Sequence, residues 1–347
     1  MASRDAHVVS IHYMESISSG CGDRITLSIR WNNARLVVDL DPSPVGNATE
    51  DSLIEKYNAA FDSGDAEEEE AMSVQILDAI VDLGRPLFDR LAPPPIPGTS
   101  ILSDLHSLLF PSEHAFLFRT VDNKTKLIPN DQSQDIAPHA AIYVESPELQ
   151  LQVTQDMNLP KFSTKDIHVI QKLLGDGYIT HVSAGGQEMC SKVGNELRAE
   201  AVQRELSCLL KIAASQQASA LRVPKLLGLV QAPDSERIIG FLEDYIPCSD
   251  TWELSTLGNI ETVSSIAKTR REKWASQVQE TVHLLHQIGV TWGDGKASNV
   301  LIDCNTDDAW VIDFGGGWTD GWVDQELSGT VEGDEVALKK ICKFLEI

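Results

Sequence analysis

The chain has 347 residues, 42% of them apolar, enough to bury a sizeable core in one two-lobed domain or in two to three ordinary domains. Its 52 acidic residues against 28 basic ones give a formal net charge of -24, which works against any surface that tracks the phosphates of a nucleic acid. Six cysteines without a C-x-x-C pair speak against a zinc ribbon or a disulfide framework and fit a reducing compartment.

The first residues, M-A-S-R-D-A-H, show no signal-peptide pattern, and no run of about 18 apolar residues follows, so a cytoplasmic chain with no membrane partner is expected. The N-x-T triplets at Asn47 and Asn123 are then expected to stay unmodified. Alternation over 25–29 and 36–40 around Asn32-Asn33 predicts a β-hairpin. A short helix is predicted over 51–62 and a second helix from 65 to about 82, with Val74, Leu77 and Val81 on one face. The acidic run at 65–70 suits a solvated helix start, because carboxylates favour the positive end of a helix. Gly84-Arg-Pro86 is expected to break the pattern, and the proline-rich stretch 93–98 to form a linker or rigid loop. A short helix over 101–110 and strands over 116–121 and 141–145 follow. His7, His12, His106, His114 and His139 show no metal-ligand spacing. Residues 1–160 therefore read as an accessory α+β region without a catalytic constellation.

From Asp166 the pattern changes. Three strands, 167–174, 178–183 and 187–193, are separated by Gly175-Asp-Gly177 and Ala184-Gly-Gly186. A helix over 196–213 has one apolar arc and one polar arc. Glu205 falls near the middle of the apolar arc, where a carboxylate costs free energy unless a cation meets it. Lys192 on the preceding strand is the obvious partner, with Arg198 the alternative; Glu200 is the other carboxylate that could meet Lys192, but it lies on the polar arc. Strands over 223–230 and 238–245 and an amphipathic helix over 273–288 complete this part. The basic stretch 268–273 reads as that helix's solvated start, and His283 and His286 as packed or surface residues.

The stretch from Gly289 to Trp318 concentrates the chemistry. Apolar runs at 300–302 and 310–312 flank a polar turn and predict a second hairpin. Asn299 precedes its first strand and Asp313 follows its second, so the antiparallel pairing brings both to one end. Asn299 and Asp313 offer hard oxygen ligands for Mg²⁺. On the loop that leads in, Asp294 can accept a hydroxyl proton and Lys296 can neutralise charge on a phosphoryl group in transfer. Asp334, after Gly333, can cap the last helix.

Asp294-Gly-Lys-Ala-Ser-Asn299, followed by Asp313-Phe-Gly315, resembles the catalytic and metal loops of the protein-kinase superfamily. Gly293-Asp294 and the I-D-F-G-G-G run are most similar to the aminoglycoside phosphotransferase and choline kinase branch. More narrowly they resemble kinase-like proteins of filamentous fungi, where H-G-D-x-K-x-x-N-V-L-I-D and I-D-F-G-G-G-x-T-x-G-W-V-D recur. One departure stands out: the family's His two residues before the catalytic Asp, which buttresses the loop, is Trp292 here.

The resemblance implies an α+β, two-lobed protein-kinase-like fold over about 161–347. Its small lobe would span about 161–246 and a truncated large lobe about 247–347, behind the accessory region 1–160. It implies ATP and Mg²⁺ as cofactors, Asp294 as base, Lys296 as charge stabiliser, and Asn299 and Asp313 as metal ligands. It also implies a second role for Asp334, as a brace under the catalytic loop. Lys192 and Glu205 would clamp the nucleotide, Gly175 and Gly177 would cover its phosphates, and backbone groups within 243–246 would hold adenine. The implied substrate is the hydroxyl of a small molecule. The alternatives are a kinase-shaped enzyme turned to other transfer chemistry, such as cyclodipeptide formation from aminoacyl-tRNA, or a pseudokinase that binds partners. Nothing in the sequence bears on oligomeric state.

Overall fold

A computed structural model of the chain describes residues 12–19, 24–94, 104–130, 150–153, 158–175, 177–194, 198–233, 235–248 and 255–347. The strand predicted over 141–145, Asp176 of the glycine turn and most of the proline-rich stretch lie outside the described residues. By its internal contacts the chain divides into two units, 1–103 with 110–142, and 104–109 with 143–347. Both are mixed α+β.

The first unit carries β1 (His12–Ser19), β2 (Ile25–Trp31), β3 (Ala34–Leu40), α1 (Thr49–Ser63), α2 (Ala66–Leu91), β4 (Ser112–Val121) and β5 (Lys124–Pro129). They form one sheet in the order β1-β2-β3-β4-β5, antiparallel except between β3 and β4. The hairpin between β2 and β3 forms as expected, with Trp31 opposite Ala34 and Asn32 in left-handed backbone at φ 52°. Ile25, Leu27, Ile29 and Trp31 alternate with polar residues and are fully buried together with Leu36, Val38 and Leu40. That single face, with Ile54 and Tyr57 of α1 and Ile76, Ile80 and Phe88 of α2, makes a core of its own. Buried Glu50 of α1 accepts hydrogen bonds from the backbone N–H and hydroxyl of Thr120 on β4, at 3.0 and 2.7 Å. The weakly apolar β1 and β5 were not expected from their sequence.

Asp65 caps α2 by accepting from the backbone N–H groups of Glu67 and Glu68, so the acidic run is a helix start. The predicted break at 84–86 does not occur, and α2 runs through Pro86 to Leu91. The buried stripe is Ser73, Ile76, Ile80, Gly84 and Phe88, at three- and four-residue spacing, joined by Val81 of the predicted face, while Val74 of that face is exposed. A Cβ at Gly84 would collide with the Phe88 ring. That ring packs edge-on to Trp31 at 5.2 Å and lies 5.7 Å from Phe116. An internal proline costs a helix about 3 kcal/mol, and burial of a phenylalanine side chain returns about 2–3 kcal/mol.

The second unit carries α3 (Leu105–Leu109), β6 (Lys161–Ser163), β7 (His168–Leu174), β8 (Ile179–Ala184), β9 (Gln187–Val193), α4 (Ala199–Ala214), β10 (Leu226–Gln231), β11 (Ile238–Asp244), α5 (Lys268–Gln287), β12 (Val300–Ile302), β13 (Ala309–Val311) and α6 (Val331–Phe344). Its main sheet runs β6-β10-β11-β9-β8-β7, and β12 pairs with β13 apart from it. Only β6 and β10 are parallel. One continuous core joins Leu206 and Leu209 of α4, Phe241 of β11, Trp274 and Val282 of α5, the β12–β13 hairpin and Leu338 of α6.

Helix α5 begins at Lys268, earlier than predicted, because its basic residues find partners. Arg270 grips Asp307, Lys273 meets Asp308 at 2.9 Å, and Arg271 donates to the Leu345 carbonyl at 2.6 Å. No described helix is long and apolar enough to cross a membrane.

Candidate functional site

The β12–β13 hairpin pairs Val300 with Val311. The backbone N–H of Ile312 then donates to the Asn299 carbonyl at 3.1 Å, so Asn299 and the residue before Asp313 stand side by side. Helix α5 holds the far turn of this hairpin. Gln277 accepts from the N–H of Ala309 and donates to Asp308, and the Trp274 indole donates to the Asp307 carbonyl at 3.0 Å. The hairpin is thus a rigid mount for the loops at its other end.

The loop that leads into it is anchored from below. Asp334, 1% exposed, accepts from the backbone N–H groups of Trp292 at 2.8 Å and Gly293 at 2.9 Å. Its third partner atom is Nε2 of His286, at 2.8 Å. Of the two roles open to Asp334, the structure shows the brace, since the cap of α6 is Thr330, whose hydroxyl accepts from the Gly333 N–H. Trp292 is fully buried, and its indole N–H donates to the carbonyl of Ile312 at 2.9 Å. At Gly293, φ 93° is backbone that a side chain would strain.

Asp294 is 6% exposed. Lys296 Nζ lies 2.6 Å from its Oδ2, and the Thr319 hydroxyl donates to its Oδ1 at 2.9 Å. Lys296 also donates to Thr319 Oγ1 at 2.8 Å, which closes a triangle of acid, ammonium and hydroxyl. Thr319 was not singled out from the sequence, because nothing in its neighbourhood marks it as facing Asp294. Asn299 spends its amide N–H₂ on the Asp294 carbonyl at 2.9 Å, which leaves its Oδ1 as an acceptor. Asp313 sits in left-handed backbone at φ 65° and accepts from the Gly315 N–H. Asx side chains tolerate this region better than branched ones, and such backbone concentrates at functional sites.

Lys192 on β9 and Glu205 on α4 are brought together at 2.6 Å, both buried. Glu205 also accepts from the backbone N–H of Phe314, at 3.4 Å, which ties helix α4 to the loop that carries Asp313. Arg198, the other candidate partner, lies 4.2 Å over the ring of Tyr178. A third residue joins the pair: Glu243 Oε1 on β11 is 3.0 Å from Lys192 Nζ. Its signal was present in the sequence, since alternation puts Glu243 on the strand face of Ile239 and Phe241, and both are fully buried. Burial would push the Lys192 ammonium down, but Glu205 and Glu243 more than offset that and hold it well above the usual lysine range. Burial raises the Glu205 carboxyl, against the pull of Lys192. Burial raises Glu243 to about 7, again against Lys192 and with the help of Glu205.

Gly175 and Gly177 both take positive φ, 61° and 97°. A Cβ at Gly177 would press 2.6 Å from Leu109 Cδ2, so this glycine has a packing reason of its own. In the 243–246 segment, Tyr245 stacks on His181 with ring centroids 3.6 Å apart. From α4, the Arg204 guanidinium lies against Gly293 and Gly316, where any Cβ would collide with it.

The donor set suits Mg²⁺ in part. Among the described residues no group of three His, Cys, Asp or Glu could hold a metal ion by itself. Asn299 Oδ1 with the Asp313 carboxylate supplies two hard oxygens, the number Mg²⁺ takes from protein when phosphate oxygens and water complete its octahedron.

No protein-family model matches the chain. Over 52 residues the sequence is 40% identical to the serine/threonine-protein kinase mos of Patiria pectinifera. That match spans 15% of this chain and 15% of the length of the curated relative. The similarity to a protein kinase is therefore confined to a short stretch of both sequences.

Proposed function

We propose that the second unit is an ATP- and Mg²⁺-dependent phosphotransferase of two-lobed, protein-kinase-like architecture that acts on the hydroxyl of a small molecule. The observation that carries this reading is the buried Lys192–Glu205 pair, hydrogen-bonded onward to Phe314 beside Asp313. A lysine on the third strand of a sheet, paired with a glutamate on the next helix and coupled to a D-F-G loop, is the arrangement kinases use to place nucleotide phosphates.

The geometry supports the following roles. Asp294 accepts the proton of the substrate hydroxyl as its oxygen attacks, and Lys296 and Thr319 hold the carboxylate in place. Lys192 donates to phosphate oxygens while Glu205 fixes its direction. Asn299 and Asp313 would hold Mg²⁺, which when bound offsets charge on the transferring phosphoryl group. The indole of Trp292 and the carboxylate of Asp334 keep the loop in register, so the missing histidine leaves no gap in its support.

The basic stretch at the start of α5 is engaged by Asp307, Asp308 and the Leu345 carbonyl, which weakens the aminoacyl-tRNA alternative. Transfer of labelled phosphate from ATP to a panel of hydroxyl metabolites tests the proposal, with Asp294→Asn as control. Mg²⁺-dependent transfer lost in the variant supports it. Neither transfer nor Mg²⁺-dependent ATP binding would point instead to other transfer chemistry on this scaffold or to the pseudokinase reading.

A further inference from the structure

Lys192 meets two carboxylates where one would suffice to orient it. Glu205 lies 2.6 Å and Glu243 3.0 Å from its Nζ, and the three residues are 3–5% exposed. With both acids ionised the centre carries a net charge of about minus one in a poorly screened interior, and an arriving polyphosphate would be repelled. An ammonium has three N–H donors. Two are spent on the glutamates, and the third must serve the phosphate. The electrostatic obstacle disappears if one carboxylate takes a proton.

We propose that Glu243 is a proton-accepting counter-acid, so that engagement of a nucleotide phosphate by Lys192 is coupled to uptake of one proton from solvent onto the Glu243 carboxylate. This rests on the phosphotransfer reading of the same site and adds to it a residue that sets the pH range of binding. Glu243 rather than Glu205 takes the proton because Glu205 has a second donor, the Phe314 N–H, which favours its ionised form. Four other groups face Glu243. Lys192 and Cys190 come from β9, Glu205 from α4, and Asp244 follows on its own strand. The Cys190 thiol, opposite Glu243 in the strand register, is pushed far up by burial and stays protonated. Burial and the neighbouring Glu205 bring Glu243 to about 7, within reach of a modest pH change.

The test is titration of the full chain with ATP and Mg²⁺ between pH 6 and pH 8.5, for the native protein and for Glu243→Gln. Above pH 7 the native affinity should fall about tenfold per pH unit, the slope of one proton per binding event. The variant should lose that slope and bind more tightly than the native protein at pH 8.5. The protonation of ATP itself is common to both titrations and cancels. Calorimetry of the native protein at pH 8 in two buffers of different ionisation heat should count close to one proton taken up. That count stands even if the variant folds poorly. Equal slopes in the two proteins, or no proton uptake, overturn the inference while leaving nucleotide binding intact. No ATP binding by either protein, even at pH 6, overturns the phosphotransfer reading and the inference with it.

Discussion

The indole N–H of Trp292 donates to the main-chain carbonyl of Ile312, 2.9 Å away, and so fastens the loop before Asp294 to the segment that leads from β13 into Asp313. Where the resembling family places a histidine, a larger side chain reaches across to the metal loop instead. Trp292→Phe keeps most of the bulk and removes the donor. It should cost about 1–2 kcal/mol, because the Ile312 carbonyl loses a buried partner. Urea unfolding measures this, and an unchanged midpoint would show that the bond contributes nothing to holding the loop.

The Lys192–Glu205 pair predicts a non-additive double-mutant cycle. Lys192→Met leaves two buried carboxylates without a cation and should destabilise the fold by about 3–5 kcal/mol near pH 8. The loss should shrink near pH 5, where the orphaned acids can be protonated. Glu205→Gln should cost less, and the double variant should be little worse than Lys192→Met alone. Thermal melts of the four proteins at both pH values check this; additive losses would mean that the two residues act independently.

Asp313→Asn should abolish Mg²⁺-dependent ATP binding and leave the fold intact. Asparagine tolerates the φ of 65° at this position, so the backbone need not shift. Circular dichroism and an ATP thermal shift with and without Mg²⁺ separate the two effects. A variant whose Mg²⁺-dependent shift equals that of the native protein removes Asp313 from the metal site.

Glu243 also makes stability depend on pH. Its folded value, about 7, lies above the ordinary glutamate value of 4.5, so the folded state holds the proton more tightly. The stabilising contribution is full below about 4.5 and is lost as pH rises through 7, by an amount on the order of 3 kcal/mol. Glu243→Gln should therefore gain stability relative to the native protein between pH 5 and pH 8. Denaturant midpoints across that window read the difference, and parallel curves would contradict the assignment.

Much of the framework was legible in the sequence because the signals were local. The β2–β3 hairpin is written in strict alternation around Asn32-Asn33, and β12–β13 in two apolar triplets around a polar turn. Glu205 betrayed itself as a carboxylate in an apolar arc, and the structure supplies the cation at Lys192. Helix α2 was cut short because Pro86 is a strong local stop, whereas the gain that carries the helix through it comes from Phe88 packing on Trp31 and Phe116, far away in the chain.

The sequence by itself determined which short segments become strands and helices, and it placed Asp294, Lys296, Asn299 and Asp313 within one hairpin's reach. Periodicity and turn residues act over a few positions, so one dimension contains them. Only the tertiary structure decided what surrounds those residues. Thr319 on Asp294, Asp334 under the loop, Trp292 on Ile312 and Glu243 on Lys192 are separated from their partners by about 20 to 50 residues. Such contacts depend on how whole elements pack to bury their apolar faces, and no local pattern records which polar group will be waiting when they do.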